Sequence, residues 1–291
     1  MGPRGSDTGR QRHVHPLGVV GCWLALALLW STLTGCELPG AGPQPKAALR
    51  FAVAADGHYG QEGTPFADNH ADLIRAINQV NGERPLDFVV LLGDLVHDRP
   101  DLLPEVKRLL DTLDPVYYVV HGNHDHSDGA RWQATWGTPL DAVVAVKGYR
   151  LLLVNTAGQD GSYQCADRQW LHATLARPGA EELIAFAHIS QKDWTKFGKA
   201  CPEIMDLFTA SATMRAVFHG HDHDVAEVKM EKDLPFVFTG RFGGSWGGDR
   251  QFLVVEMGDQ GAIKILRYDL ASKRLLAEPA YELGAATGAK R

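Results

Sequence analysis

Five apolar runs in this chain stop on the same kind of chemistry. Arg50 to Ala55 ends in Asp56-Gly57-His58, and Asp87 to Leu92 ends in Gly93-Asp94-Leu95-Val96-His97-Asp98. Tyr117 to Val120 ends in His121-Gly122-Asn123-His124-Asp125, Leu183 to Ala187 runs into His188, and Ala216 to Phe218 runs into His219-Gly220-His221-Asp222-His223. Short β-branched runs closed by glycine and polar residues read as buried strands. In open α/β sheets, ligands gather at the strands' carboxyl ends, where all five runs deliver carboxylates, amides and imidazoles. Asn123 offers a carbonyl oxygen to a cation, and imidazoles either ligate metal or carry protons.

Helical periodicity fills the gaps. Leu73, Ile74 and Ile77 lie on one side of Phe66 to Val80, and Leu102 to Leu113, Asp167 to Leu175 and Glu203 to Met214 repeat the pattern. Alternating strands and helices imply sheets covered by helices. From Val225 the chain becomes mostly strand, in Val225 to Met230, Pro235 to Thr239, Phe252 to Met257 and Ala262 to Tyr268. With 45% hydrophobic and 22% charged residues, the chain has the means to bury one large core, expected over 49–282. Residues 283–291 have the Gly and Ala content of a frayed tail.

Asp56-x-His58, Gly93-Asp94, Gly122-Asn123-His124-Asp125, His188 and Gly220-His221-x-His223, in this order, resemble the calcineurin-like metallophosphoesterase signature. The resemblance implies an α/β fold of two packed sheets flanked by helices. It also implies two metal ions, one held by Asp56, His58, Asp94 and His223 and the other by Asp94, Asn123, His188 and His221, with Asp94 bridging. His124 becomes the acid that protonates the leaving oxygen, and its neighbour in sequence, Asp125, is the carboxylate expected to orient it. Phosphoester hydrolysis needs a hydroxide nucleophile at neutral pH and neutralisation of phosphoryl charge, and a pair of metals supplies both. An imidazole and carboxylate donor set without thiolate suits Mn, Fe or Zn, as divalent or mixed-valence ions, better than Ca or Mg.

The purple acid phosphatase branch of that superfamily carries tyrosine three residues after the bridging aspartate and glycine in place of the first-motif histidine. Those positions here are His97 and His58, so a tyrosine-ligated ferric centre is disfavoured. His97, His121, His126 and His219 flank the motifs without matching a ligand position. The stretch from Gly240 to Arg250 is glycine-rich, and two readings are open for it. Either Arg241, Trp246 and Arg250 contact phosphate or an organic leaving group, or the stretch is a plain hairpin turn between Phe238 and Phe252. Trp132, Trp136, Trp170 and Trp194 read as core or helix-face aromatics.

The amino terminus reads as a leader. Arg4, Arg10 and Arg12 precede an apolar run from Leu17 to Trp30, and Leu33-Thr34-Gly35-Cys36 resembles a bacterial lipobox. The expectation is a signal peptide at 1–35, lipidation of Cys36 and a Pro- and Gly-rich tether at 36–48, placing the protein on a membrane in the cell envelope. An uncleaved anchor helix is the alternative. Removing residues 1–35 takes three of the 29 Lys and Arg and one of the 35 Asp and Glu, moving the formal charge from −6 to −8. An acidic chain argues against nucleic-acid binding and leaves a small phosphorylated substrate as the expected partner. Cys165 and Cys201 are read either as a disulfide favoured by export or as two separate thiols. The resulting expectation is a lipid-anchored binuclear hydrolase of phosphomonoesters or phosphodiesters. The alternative is a metal-dependent binding or sensing lipoprotein on an inactive scaffold.

Overall fold

Two sheets divide the expected strands between them. In chain order the elements are β1 (Leu49–Ala54), α1 (Phe66–Glu83), β2 (Phe88–Leu92), α2 (Leu103–Leu110), β3 (Tyr117–Val120), α3 (Gly129–Trp136), β4 (Ala142–Val146), β5 (Tyr149–Val154) and α4 (Arg168–Leu175). They continue with β6 (Glu182–Ala187), α5 (Pro202–Ala210), β7 (Met214–His219), β8 (Val228–Glu231), β9 (Leu234–Phe238), β10 (Gln251–Met257), β11 (Ile263–Asp269), β12 (Arg274–Leu275) and β13 (Tyr281–Leu283). This computed structural model describes residues 48–179, 181–258, 261–277 and 281–283. The expectations for the signal peptide, Cys36 and all but the last residue of the tether lie outside the described residues, as does the tail beyond Leu283. Among the described residues no helix is long and apolar enough to cross a membrane.

Among the described residues, the first sheet has the order β12-β11-β10-β1-β2-β3, with β13 also on β11, and the second has β4-β5-β6-β7-β9-β8. β1, β2 and β3 pair in parallel, as do β5, β6, β7 and β9. Parallel strands covered on both faces need continuous apolar sequence, and β2 is buried at all five of its residues.

Alternation of side chains along each strand sends one set inward between the sheets and the other out to the helices. Phe51, Val53, Phe88 and Val90 face Ile184, Phe186, Ala216 and Phe218 across the interface. Phe51 stacks on Phe88 at 4.7 Å and meets Phe186 and Phe218 edge-on at 6.1 and 5.7 Å. Truncating such a buried ring to alanine costs about 3–5 kcal/mol, so Phe51→Ala, which strips three aromatic contacts at once, would damage this layer severely. On the outer face of the first sheet, Ala52 and Val89 pack with Leu73, Ile77 and Val80 of α1, Val106 of α2 and Trp132 of α3. On the outer face of the second, Ala185 and Val217 pack with Leu171 of α4 and Ile204 and Phe208 of α5. The result is the expected pair of packed sheets between helical layers. Of the expected core tryptophans, Trp132 is fully buried, while Trp136, Trp170 and Trp194 pack half-buried at the edges of these clusters.

The hairpin reading of Gly240 to Arg250 is overturned. β9 pairs with β7 and β8 in the second sheet, whereas β10 pairs with β1 and β11 in the first. The glycine-rich stretch therefore crosses between sheets, burying Phe242 in the core of the first as it passes. Cys165 and Cys201 form a disulfide with Cα atoms 5.7 Å apart, the bonded alternative of the two.

Candidate active site

The carboxyl ends of β1, β2, β3, β6 and β7 converge, and the loops that leave them are sewn together by backbone. The amides of Gly57 and His58 both donate to the carbonyl of Asp94, at 3.0 and 2.9 Å. Two glycines allow the approach. Gly93 has φ of +83°, and a Cβ there would strike the His188 ring; a Cβ on Gly122 would strike Asp94. Asp125 completes the stitching: its fully buried carboxylate accepts from the amides of Leu95, Val96 and Gly122 at 2.7, 3.1 and 2.8 Å. Burial, with the charge on Asp94 next, raises the Asp125 carboxyl above its ordinary value.

Six of the seven residues expected to hold metal come together in the core of this junction, and Asn123, the seventh, is buried on the loop that leaves β3. One oxygen or ring nitrogen from each of Asp56, His58, Asp94 and His223 lies within 4.8 Å of the others, and the same holds for Asp94, His188 and His221. Asp94 belongs to both groups. The backbone sets which ring atom points inward. His188 Nδ1 lies 2.7 Å from the Leu92 carbonyl and His223 Nδ1 3.1 Å from the Trp246 carbonyl, so each Nδ1 donates to backbone and each Nε2 is the atom left to face the carboxylates. His58 Nε2 and His223 Nε2 are 3.0 Å apart, and His188 Nε2 is 3.2 Å from Asp94 Oδ1.

Several of these atoms are buried without a hydrogen-bond partner: Asp94 Oδ2, Asn123 Oδ1, His188 Nε2 and His221 Nε2. Buried polar atoms are normally paired, so orphans on these residues fit cations that would complete them. The electrostatics agree. Burial opposes charge on His188, yet the Asp94 carboxylate beside it overrides burial and carries the imidazole up to about 10. Burial holds His58 down to about 3 and His221 to about 4. The donor set thus fits a metal pair on both its chemistry and its unsatisfied atoms.

The remaining histidines separate by position. His121 is buried against Asn155 and the edge of Trp132, and His219 donates to the Ala187 carbonyl and packs on Phe236, so both serve the core. His124 and His97 stack at 4.8 Å near the mouth, and His97 Nδ1 is 3.0 Å from His58 Nδ1. The carboxylate on His124 is not Asp125, which has turned to the backbone, but Asp98, whose Oδ1 lies 2.7 Å from His124 Nδ1 and 3.1 Å from His126 Nε2. Burial works against the Asp98 anion and the His124 hydrogen bond outweighs it, leaving Asp98 below its ordinary value. Sequence order favoured Asp125 by adjacency; only the positive-φ turn at Asp98 reveals the other partner.

From the crossing loop, Trp246 stacks on His223 at 4.6 Å and reaches the rings of His58, His97 and His124. Arg241 instead directs its Nη1 to the carbonyls of Gly243 and Gly244. Tyr163 and Phe197, which the sequence did not single out, lie edge-on to His221 at 4.6 and 5.9 Å.

Comparison with known proteins follows the same lines. A probable cyclic nucleotide phosphodiesterase of Pseudoalteromonas sp. (strain SM9913) is 26% identical over 196 residues, 62% of this chain and 73% of that protein. Among solved structures, a dimetal phosphatase from Danio rerio superposes with a TM-score of 0.63 at 14% identity, covering 78% of this chain and 97% of that one. A purple acid phosphatase from yellow lupin (Lupinus luteus) seeds gives 0.61 at 13% identity, covering 80% of this chain and 54% of that one. These structural likenesses speak to fold. Residues 49–225, which contain every strand end described above, match the calcineurin-like phosphoesterase family, and the chain belongs to that family of metal-dependent phosphoester hydrolases.

Proposed function

We propose that this protein is a binuclear hydrolase of phosphomonoesters or phosphodiesters, carried on a membrane outside the cytoplasm by a lipid on Cys36. The observation that carries the binuclear reading is Asp94, the one carboxylate common to both ligand groups. Asp56, His58 and His223 would hold one ion with it, and Asn123, His188 and His221 the other. When bound, the ions supply a nucleophile at neutral pH and offset charge on the phosphoryl oxygens. Manganese, iron and zinc all suit these donors.

The chain's own residues supply the rest. Asp98 accepts from His124 Nδ1, which turns Nε2 outward with a proton to donate to the leaving oxygen. Asp125 holds the loops in register rather than orienting that ring. Trp246, 43% exposed over the histidines, offers a face to the departing group. The relative named as a probable cyclic nucleotide phosphodiesterase supports a diester among the substrates. The lipobox resemblance supports the anchor, and the Cys165–Cys201 disulfide supports an oxidising compartment.

The test is turnover of purified protein loaded with Mn, Fe or Zn against alkyl and nitrophenyl mono- and diesters. Hydrolysis of at least one class, abolished by chelation, is expected. No turnover with any metal would leave the binding lipoprotein instead. For the anchor, Cys36→Ser should release the protein from the membrane fraction, and an unmodified mature terminus at another residue would remove the lipid.

A further inference from the structure

Two loops close over the His221 end of the cluster, and neither has a role in the chemistry above. One, 158–165, brings Tyr163 edge-on to His221; the other, 190–201, brings Phe197 to the same ring. Phe197 is 37% exposed, and among the described residues only Val116, Met230 and Trp246 join it as large apolar side chains so open. Two of these four, Phe197 and Trp246, therefore flank the histidine cluster, at opposite ends of it.

The loops are braced to each other. Cys165 and Cys201 join them covalently. Buried Gln191 adds a second tie: its Oε1 accepts from the Ala166 amide at 2.8 Å, its Nε2 donates to the Gln164 carbonyl at 3.3 Å, and its own carbonyl accepts from the Cys201 amide at 3.0 Å. A rigid aromatic surface binds a flat ring with little ordering cost.

The chemistry sets which part of a substrate meets it. The leaving oxygen must reach His124, which lies beside Trp246, so the departing group belongs at that end. Attack and departure are in line at phosphorus, which leaves the other substituents to point sideways. The aromatic wall at His221 is placed for a substituent that stays on phosphorus. Charge restricts the substrate further. Arg250 is held by the Phe242 carbonyl and Asp72, and Arg241 turns its Nη1 to its own loop, so no guanidinium is shown reaching the wall and an uncharged ring suits it better than a second phosphate.

We propose that Tyr163 and Phe197, braced by the Cys165–Cys201 disulfide, form a wall that binds the retained, ring-bearing arm of a phosphodiester, a nucleoside being the chemical class that fits. This rests on the hydrolase reading with His124 at the leaving-group end.

The test compares two diesters with one leaving group: the p-nitrophenyl ester of thymidylate and methyl p-nitrophenyl phosphate. Both release nitrophenolate, so the proton donated by His124 cancels from the ratio of their kcat/KM values. The wild type should prefer the thymidylate ester. Tyr163→Ala and Phe197→Ala should each lower the preference by about 5- to 100-fold, the range of one base–aromatic stack. Tyr163→Phe should retain it. Cys165→Ala combined with Cys201→Ala should raise KM for the thymidylate ester with kcat and metal content held. A preference unchanged in both alanine variants, at wild-type metal content and melting temperature, overturns the wall. If the wild type turned over neither ester, the hydrolase reading would fail separately. Calorimetric titration of the metal-loaded proteins with thymidylate would then decide the wall, equal affinity for wild type and Tyr163→Ala overturning it.

Discussion

The two ends of the parallel strands are built on opposite terms. At the amino ends, charges satisfy one another in half-buried pairs: Glu256 meets Arg50 at 3.3 Å and Arg84 at 2.7 Å, and Lys147 pairs with Asp87. At the carboxyl ends, Asp56, His58, Asp94 and His221 are buried, sit at φ of 62°, 48°, 51° and 66°, and leave His221 Nε2 and Asp94 Oδ2 unpaired. Left-handed backbone at a non-glycine residue costs on the order of 1–3 kcal/mol, and an orphaned buried polar atom about as much again. A fold tolerates that concentration only where the rest of the structure holds it in place. The amino ends show what these strands do when only stability is at stake; the carboxyl ends show what is given up for a ligand.

The contrast is broken most severely at Asp94. Asp94→Asn should empty both metal positions, and turnover should fall by more than the about 10- to 100-fold typical of losing an outer partner of a ligand. Metal analysis by mass spectrometry checks it, and two occupied sites in the variant would take Asp94 out of the shared position. Next is His124→Ala, expected to slow alkyl esters by about 100- to 10,000-fold at unchanged metal content and nitrophenyl esters by much less. Asp98→Asn should follow the same leaving-group pattern more weakly, whereas equal losses on both ester classes would deny His124 the acid role.

Metal removal addresses stability directly. Ions at about 100 times their Kd add about 2.7 kcal/mol per site, so chelation should lower Tm by about 5–11 °C for each site emptied. Calorimetry with and without chelator measures it. The smallest effect belongs to the other end: Glu256→Gln removes two partly exposed ion pairs worth about 0.2–1 kcal/mol each, shifting Tm by no more than about 8 °C. That shift should be the same with and without metal. A metal-dependent shift would mean that the two ends are coupled.

Much of the site was legible in sequence because each contributing strand announces its end. A buried apolar run has to stop, and carboxylate, amide or imidazole at five successive stops is hard to explain otherwise. The four helices that pattern placed are α1, α2, α4 and α5. What the pattern missed is what depends on three dimensions. The helix α3 and the hairpin β4–β5, between Gly129 and Val154, were not singled out. Asp98 reaches His124 through a left-handed turn that its neighbours do not signal, and adjacency pointed to Asp125 instead. Tyr163 and Phe197 are single aromatics in loops, with no period or motif to mark them. The crossing of Gly240 to Arg250 was hidden because two strands flanking a glycine-rich turn look alike whether they share a sheet or not.

The stitching of remote strand ends has a consequence for how the molecule comes to be. The Asp56 carboxylate accepts from the His221 amide 165 positions further along the chain, and the crossing loop that returns to β10 lies beyond both. Contacts so distant in sequence form late and slowly, because each must first close a long loop. A nascent chain that has made β1, β2 and β3 therefore holds Asp56, His58, Asp94 and Asn123 with no partner histidine from the second sheet. Those four side chains stay open to solvent until β6 and β7 arrive, and β10 must still return to pair with β1, so the order of synthesis leaves this cluster among the last parts of the fold to close.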